Sequence, residues 1–249
     1  MILDEILANK RQEVAARRVL RSFNSMLRQP GVSVIAEFKR RSPSGGLIRP
    51  DAAPADVARL YAQGGARALS VLTDARYFGG SDADLIEARG ATTLPVLRKD
   101  FVVEEFQIRE ARALGADAIL LIVRALSDSD LRSFLRLARE LGMDALVETH
   151  SADEVERALD AGAEIIGVNN RDLDTLTTDV TLAPRLRRLV PADHVFVAES
   201  GVSTPEQIRI LADAGVDAVL IGESLLRATD PGATLAELVA AGAPSGVRA

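Results

Sequence analysis

At 249 residues, 47% hydrophobic and with no Trp or Cys, the chain has enough apolar material for one large α/β domain with an aliphatic core; it can form no disulfide, thiolate nucleophile or thiolate metal site. A formal charge of −6 and a pI near 5.1 exclude non-specific nucleic-acid binding, yet leave room for a basic pocket that takes a small anion. No apolar run approaches membrane-spanning length and the acidic start Met1-Ile2-Leu3-Asp4-Glu5 is not a signal peptide, so a soluble cytoplasmic protein with no membrane partner is expected.

Apolar positions Ile2, Leu3, Ile6, Leu7, Val14 and Val19, with basic residues between, predict an amphipathic helix over 2–19. Phe23–Leu27 reads as a second short helix, ended by Pro30-Gly31. Neither is paired with a strand, so residues 1–31 form an N-terminal helical extension that caps or flanks the main body. Lys10, Arg11, Arg17, Arg18 and Arg21 read as a solvated helix face.

From Val32 a repeating unit begins. Apolar runs predict strands at 32–38, 67–72, 94–98, 117–122, 143–148, 164–168, 194–198 and 217–221. Helical patterns follow each one, at 54–63, 82–89, 104–113, 128–141, 151–161, 180–189, 204–214 and 233–240. The junctions Leu114-Gly115-Ala116-Asp117, Ala161-Gly162-Ala163-Glu164 and Ala214-Gly215-Val216-Asp217 are near-copies: each ends a helix on Gly and starts a strand at once. Ser127, Ser151 and Ser203 are candidate N-caps. Eight such units point to a (β/α)8 TIM barrel spanning 32–240 within a single domain of 1–249. A doubly wound open sheet is the competitor, but its glycine fingerprint is absent after the first strand. The tail 241–249, with Gly, Pro and Ser, reads as disordered.

In a barrel, side chains at the C-terminal strand ends converge on one mouth. That places Glu37, Lys39, Lys99, Glu148, Asn169, Arg171, Glu199 and Ser200 together. Crowded carboxylates and lysines there suit general acid–base chemistry. The opposite strand ends are not expected to be charged in the same way, which favours function over chance. Glycines after the last two strands, in Ala198-Glu199-Ser200-Gly201-Val202 and Leu220-Ile221-Gly222-Glu223-Ser224, suggest a backbone cradle for a phosphate. The basic, glycine-rich stretch Arg40-Arg41-Ser42-Pro43-Ser44-Gly45-Gly46 reads as a flexible lid that supplies cations to the anionic ends of a substrate. Phe78 could pack on a flat aromatic substrate. His150 and His194 are too few and too separated for a metal cluster, so no metal is expected.

Taken together, IAEFKRRSPSGG (35–46), YFGGS (77–81), PVLRKDF (95–101), ADAILLIV (116–123), LVETH (146–150), IGVNNRDL (166–173), VAESGV (197–202) and LIGESLLR (220–227) resemble the indole-3-glycerol phosphate synthase family over nearly the whole chain. LDEILANKRQEV (3–14) is similar to the family's N-terminal helix. The resemblance implies ring closure of 1-(2-carboxyphenylamino)-1-deoxyribulose 5-phosphate to indole-3-glycerol phosphate, carbon dioxide and water, in tryptophan biosynthesis and without a cofactor. It assigns Lys99 as general acid in the condensation, Glu148 as general base in the dehydration, and Lys39 as a contact to the substrate carboxylate and a second candidate acid. It implies that Glu37, Asn169 and Glu199 orient the ring, the lysines and the hydroxyls. Ser42, Ser200, Gly201, Gly222 and Glu223 fall on the phosphate side, Phe78 lies near the anthranilate ring, and Pro43 and Arg171 join the substrate-binding set. Glu223 stands where some members carry a small Ser, so only its backbone N–H is expected to help hold phosphate. Residues 20–31 are fewer than is usual in the family, which bears on how the N-terminal helices cover the mouth.

Three other readings compete. A phosphoribosyl-anthranilate isomerase-like barrel normally relies on a Cys/Asp pair, and this chain has no Cys. A Schiff-base lyase would use Lys99 as nucleophile, and a non-catalytic barrel would merely bind a phosphorylated metabolite. In every case the expected partner is a small phosphorylated molecule, and the expected state is a monomer or weak homo-oligomer.

Overall fold

A computed structural model describes residues 2–172 and 174–244, with only the backbone for residues 12–18. The side chains of Val14, Arg17 and Arg18, and tail residues 245–249, lie outside the described residues. Eight parallel strands close into a barrel: β1 (Ser33–Phe38), β2 (Ala68–Leu72), β3 (Val96–Lys99), β4 (Ala118–Ile122), β5 (Asp144–Thr149), β6 (Ile165–Asn169), β7 (Val195–Glu199) and β8 (Ala218–Ile221). Helices Pro54–Gln63, Asp82–Ala91, Glu105–Leu114, Asp128–Glu140, Ala152–Asp160, Leu182–Arg187, Pro205–Asp213 and Pro231–Ala241 follow them in turn. The likeness to a TIM barrel expected from the repeats is therefore complete, and the open sheet is excluded by the pairing of β1 with both β2 and β8.

The strands are apolar runs because both their faces are covered. One face packs on the helices through residues such as Val34, Ala36, Val96, Val147 and Val168. The other fills the barrel with Ile35, Leu97, Leu146, Ile165 and Val197. Side chains alternate along a strand, so the residue two places beyond an inward apolar residue also points inward. Glu37 follows Ile35 in this way, Lys99 follows Leu97, Glu148 follows Leu146 and Glu199 follows Val197. The same period sends Arg98 outward, where it is buried among Asp82, Asp100, Glu110 and Thr73 and ties β3 to its helices.

The floor of the barrel differs from expectation. The short helix Phe23–Leu27 does not reach the mouth: Phe23 and Leu27, both fully buried, plug the N-terminal end of the barrel interior. Burying Phe23 alone is worth about 2–3 kcal/mol. The strand starts are charged after all. Asp117 accepts from the backbone N–H of Arg21 (2.9 Å) and Val96 (3.0 Å) and meets the Arg89 guanidinium at 3.1 Å. Asp144 accepts from the N–H of Asn24 at 2.9 Å, and Asp217 from that of Phe196 at 2.8 Å. Arg21, expected on a solvated face, is partly buried and donates to the carbonyls of Arg89 and Leu94. By contrast Ile2, Leu3, Ile6 and Leu7 of the first helix (Ile2–Arg18) are exposed.

Local signals account for most boundaries. Ser127 and Ser151 cap their helices as expected. The third cap is Thr204 and not Ser203, because Thr204 forms a reciprocal capping box with Gln207. Gly115 ends its helix at φ 98°, a conformation that explains why Gly stands at that junction. At the tail, Ala241 still belongs to the last helix, and the Gly242 carbonyl accepts from the Val32 N–H at 2.8 Å, tying this end to the start of β1.

Candidate active site

A cavity of about 300 Å³ opens at the C-terminal end of the barrel. Glu37, Lys39, Lys99, Glu148, Asn169 and Glu199 line its base, and Ser42, Pro43, Phe78, Arg171 and Ser200 line its walls. Six of the eight strands or the loops after them thus bring together residues separated by more than half the chain, at the face where such barrels hold their chemistry.

Lys99 is the hub. Its ammonium lies 2.8 Å from Glu148 Oε2 and 3.3 Å from Glu199 Oε2. Burial alone would push its pKa down, but the field of Glu148, Glu199 and Glu37 outweighs burial and the net shift is upward. Lys99 is therefore held as a cation and can act as an acid. Burial pushes Glu148 up, but Lys99, His150 and Asn169 together carry its carboxyl below the usual range, so it stays ionised and can act as a base. Asn169 donates to Glu148 Oε1 at 3.2 Å and accepts from the Arg171 N–H at 3.0 Å, which orients both. Glu199 behaves differently: burial raises its pKa to about 8, repulsion from Glu148 adds to this, and Lys99 opposes it. Across the cavity, Lys39 pairs with Glu37 at 2.6 Å, and Glu37 also accepts from Ser70 at 3.3 Å.

Two glycines make room for this cluster. A Cβ on Gly167 would stand 2.3 Å from the Glu199 carboxylate, and one on Gly222 would stand 2.6 Å from that of Glu37. The apolar wall combines Leu72, Phe78, Phe101, Leu120 and Ile122, with the Phe78 and Phe101 rings 6.2 Å apart and tilted. Phe78 sits on the turn Ala75–Phe78, which Asp74 caps through the N–H groups of Tyr77 and Phe78.

The residues expected to hold phosphate are only partly at the cavity. Ser200, at a positive φ of 64°, lines it. Gly201, Gly222 and Glu223 do not. A Cβ on Gly201 would instead meet Thr178 and Val180. The Glu223 carboxylate receives the Ser42 hydroxyl at 3.4 Å and the Arg227 guanidinium at 2.9 Å. The expected lid is a short hairpin pairing Arg41–Ser42 with Gly46–Leu47. Its arginines do not serve the cavity: Arg40 pairs with Asp84, and Arg41 donates to the Ala75 carbonyl. The cation that replaces them is Arg171, which reaches across the opening to the Ser44 hydroxyl.

Sequence reasoning missed Phe101, Ser44 and His150. Phe101 and Ser44 adjoin residues already singled out. His150 has no metal-ligand spacing in the sequence, yet it lies two residues beyond Glu148, and its Nε2 is 3.5 Å from Glu148 Oε1. Alternation of side chains along the strand, carried two residues past Glu148, is the signal that points to it.

A family model described as indole-3-glycerol phosphate synthase matches residues 3–238. This chain belongs to the indole-3-glycerol phosphate synthase family. It is 56% identical over 225 residues to "Indole-3-glycerol phosphate synthase 2" of Streptomyces coelicolor, covering 90% of this chain and 87% of that protein. It is 48% identical to the indole-3-glycerol phosphate synthase of Kineococcus radiotolerans, covering 100% of this chain and 98% of that protein. Among solved structures, a thiamine phosphate pyrophosphorylase from Pyrococcus furiosus superposes with a TM-score of 0.65 at 16% identity, covering 86% of this chain and 96% of that one, a likeness of fold alone.

Proposed function

We propose that the chain is a carbon–carbon lyase that closes the indole ring, converting 1-(2-carboxyphenylamino)-1-deoxyribulose 5-phosphate to indole-3-glycerol phosphate with loss of carbon dioxide and water. Family membership over nearly the whole chain supports the reaction. The observation that carries the residue roles is the Lys99 ammonium set between Glu148 and Glu199 at the cavity base, with Lys39 on the facing wall.

Lys99 donates a proton to the substrate carbonyl oxygen as the ring carbon attacks, which makes the carbonyl carbon electrophilic. Lys39 pairs with the substrate carboxylate until carbon dioxide departs and aromaticity returns. A lysine ammonium then protonates the departing hydroxyl while Glu148 takes a proton from the ring system. Glu37, Asn169 and Glu199 hold these groups in register through the contacts described. The apolar wall around Phe78 takes the aromatic ring, and Pro43 closes against it. The phosphate lies toward Ser42, Ser200 and Arg171, with backbone N–H groups of Gly201, Gly222 and Glu223 as further donors; the Glu223 carboxylate is already engaged with Ser42 and Arg227.

The test is direct. The purified protein, given the carboxyphenylamino substrate alone, should yield a fluorescent indole product and carbon dioxide in equal amounts. Consumption without indole, or no turnover at all, contradicts the assignment.

A further inference from the structure

His150 is buried beside the acid–base pair, and the mechanism above does not use it. Its side chain is 3% exposed, and neither ring nitrogen has a hydrogen-bond partner. The ring is nevertheless placed between two carboxylates. Nε2 faces Glu148 Oε1 at 3.5 Å, and Nδ1 faces Glu154 Oε2 at 3.4 Å. Glu148 is 2% exposed, whereas Glu154, on the helix Ala152–Asp160, is 13% exposed and so touches solvent. Glu154 is fixed by the His150 backbone N–H at 2.7 Å and by Arg124 at 3.3 Å, so its carboxylate cannot swing away from the ring freely. The charged groups facing this chain of contacts are Lys99 and Glu199 on the cavity side and Arg124 on the outer side.

The proposed reaction needs such a path. Two protons go in, one to the carbonyl oxygen and one to the departing hydroxyl, and the base recovers one. The carboxylate leaves as neutral carbon dioxide and the hydroxyl as neutral water, so each turnover takes up one proton from solvent. Bound substrate would cover Lys99 and Glu148 from the mouth, because both line the cavity it fills.

We propose that His150 is a positioning and proton-relay residue that connects Glu148 to solvent through Glu154, recharging the buried acid–base pair from behind the substrate. Glu154 passes a proton to Nδ1, Nε2–H passes one to Glu148, and Glu148 shares it with Lys99 at 2.8 Å. The ring regains its starting tautomer by turning between turnovers. This rests on the functional reading given above, and turnover by the wild-type protein checks that reading separately.

The experiment compares wild type, His150→Phe and Glu154→Gln in single turnover, with protein in excess, and in steady state, following indole fluorescence in dilute buffer. The first turnover starts from lysines already charged, so its rate in Glu154→Gln should stay near that of wild type, whereas His150→Phe, which also removes a group that helps hold Glu148 ionised, is read by the buffer rescue of its steady-state rate. The steady-state rate should fall about 10²-fold and recover as imidazole buffer is added. Glu154→Gln keeps the core intact and carries the test if His150→Phe folds poorly. Steady-state rates equal to wild type overturn the relay. So does an equal fall in both regimes without buffer rescue, which is the signature of a merely structural histidine.

Discussion

The two ends of this barrel are built from the same residue types and do opposite things. At the floor, Asp117, Asp144 and Asp217 are consumed by backbone N–H groups and, for Asp117, by Arg89. Phe23 and Leu27 then seal the barrel interior, so those carboxylates do not line the cavity at the mouth. At the mouth, Glu37, Glu148 and Glu199 meet lysines across a cavity instead. The difference shows that charge at a strand end is not itself a mark of chemistry. What marks chemistry is charge whose partners are other titratable side chains around space that a substrate can enter.

The largest effect should come from breaking the hub. Lys99→Met leaves Glu148 and Glu199 buried without their cation, and kcat/KM should fall by about 10³-fold or more in the indole fluorescence assay. Its stability should also become strongly pH-dependent: Glu148 loses the cation that holds its pKa down, so stability will fall as pH rises through the neutral range, as measured by urea unfolding. Phe23→Ala attacks the floor. It should cost about 3–5 kcal/mol in urea unfolding while kcat of the folded protein stays within about twofold of wild type. A comparable fall in kcat would mean that the floor and the mouth are coupled.

A smaller effect separates Glu199 from its neighbours. Its folded pKa, about 8, lies above the ordinary 4.5, so the folded protein binds the extra proton. The stability that this proton contributes is fully present below about pH 4.5 and is lost as pH rises through about 8. Glu199→Gln should flatten that slope in unfolding curves taken across the window. An unchanged slope would assign the titration to another group.

Much of this was legible in the sequence because the barrel repeats a simple rule. Apolar runs, several of them opened by Gly junctions, placed every strand within two residues of its observed start, and their C-terminal ends placed Glu37, Lys99, Glu148 and Glu199 at the mouth. What the sequence hid were choices between equivalent partners. Arg40 and Arg41 look like substrate cations beside serines and glycines, but Asp84 and the Ala75 carbonyl are nearer. Asp117 and Asp144 fall in predicted strands, but their role at the floor is hidden because their partners, the N–H groups at 21 and 24, lie some hundred residues away along the chain. Helix Leu182–Arg187 is shorter than its pattern, since the preceding loop is pinned where Asn170 accepts from the Ala183 N–H.

Strand β5 carries both ends of the comparison, with Asp144 at the floor and Glu148 at the mouth. Replacing each carboxylate by its amide, in separate proteins, changes charge with almost no change in volume. Measured side by side for kcat/KM and urea stability, Glu148→Gln should lose about 10²-fold or more in activity and little stability, and Asp144→Asn should lose stability of about 1–3 kcal/mol and little activity. Equal activity in the two proteins, or a larger loss from Asp144→Asn, would contradict the account.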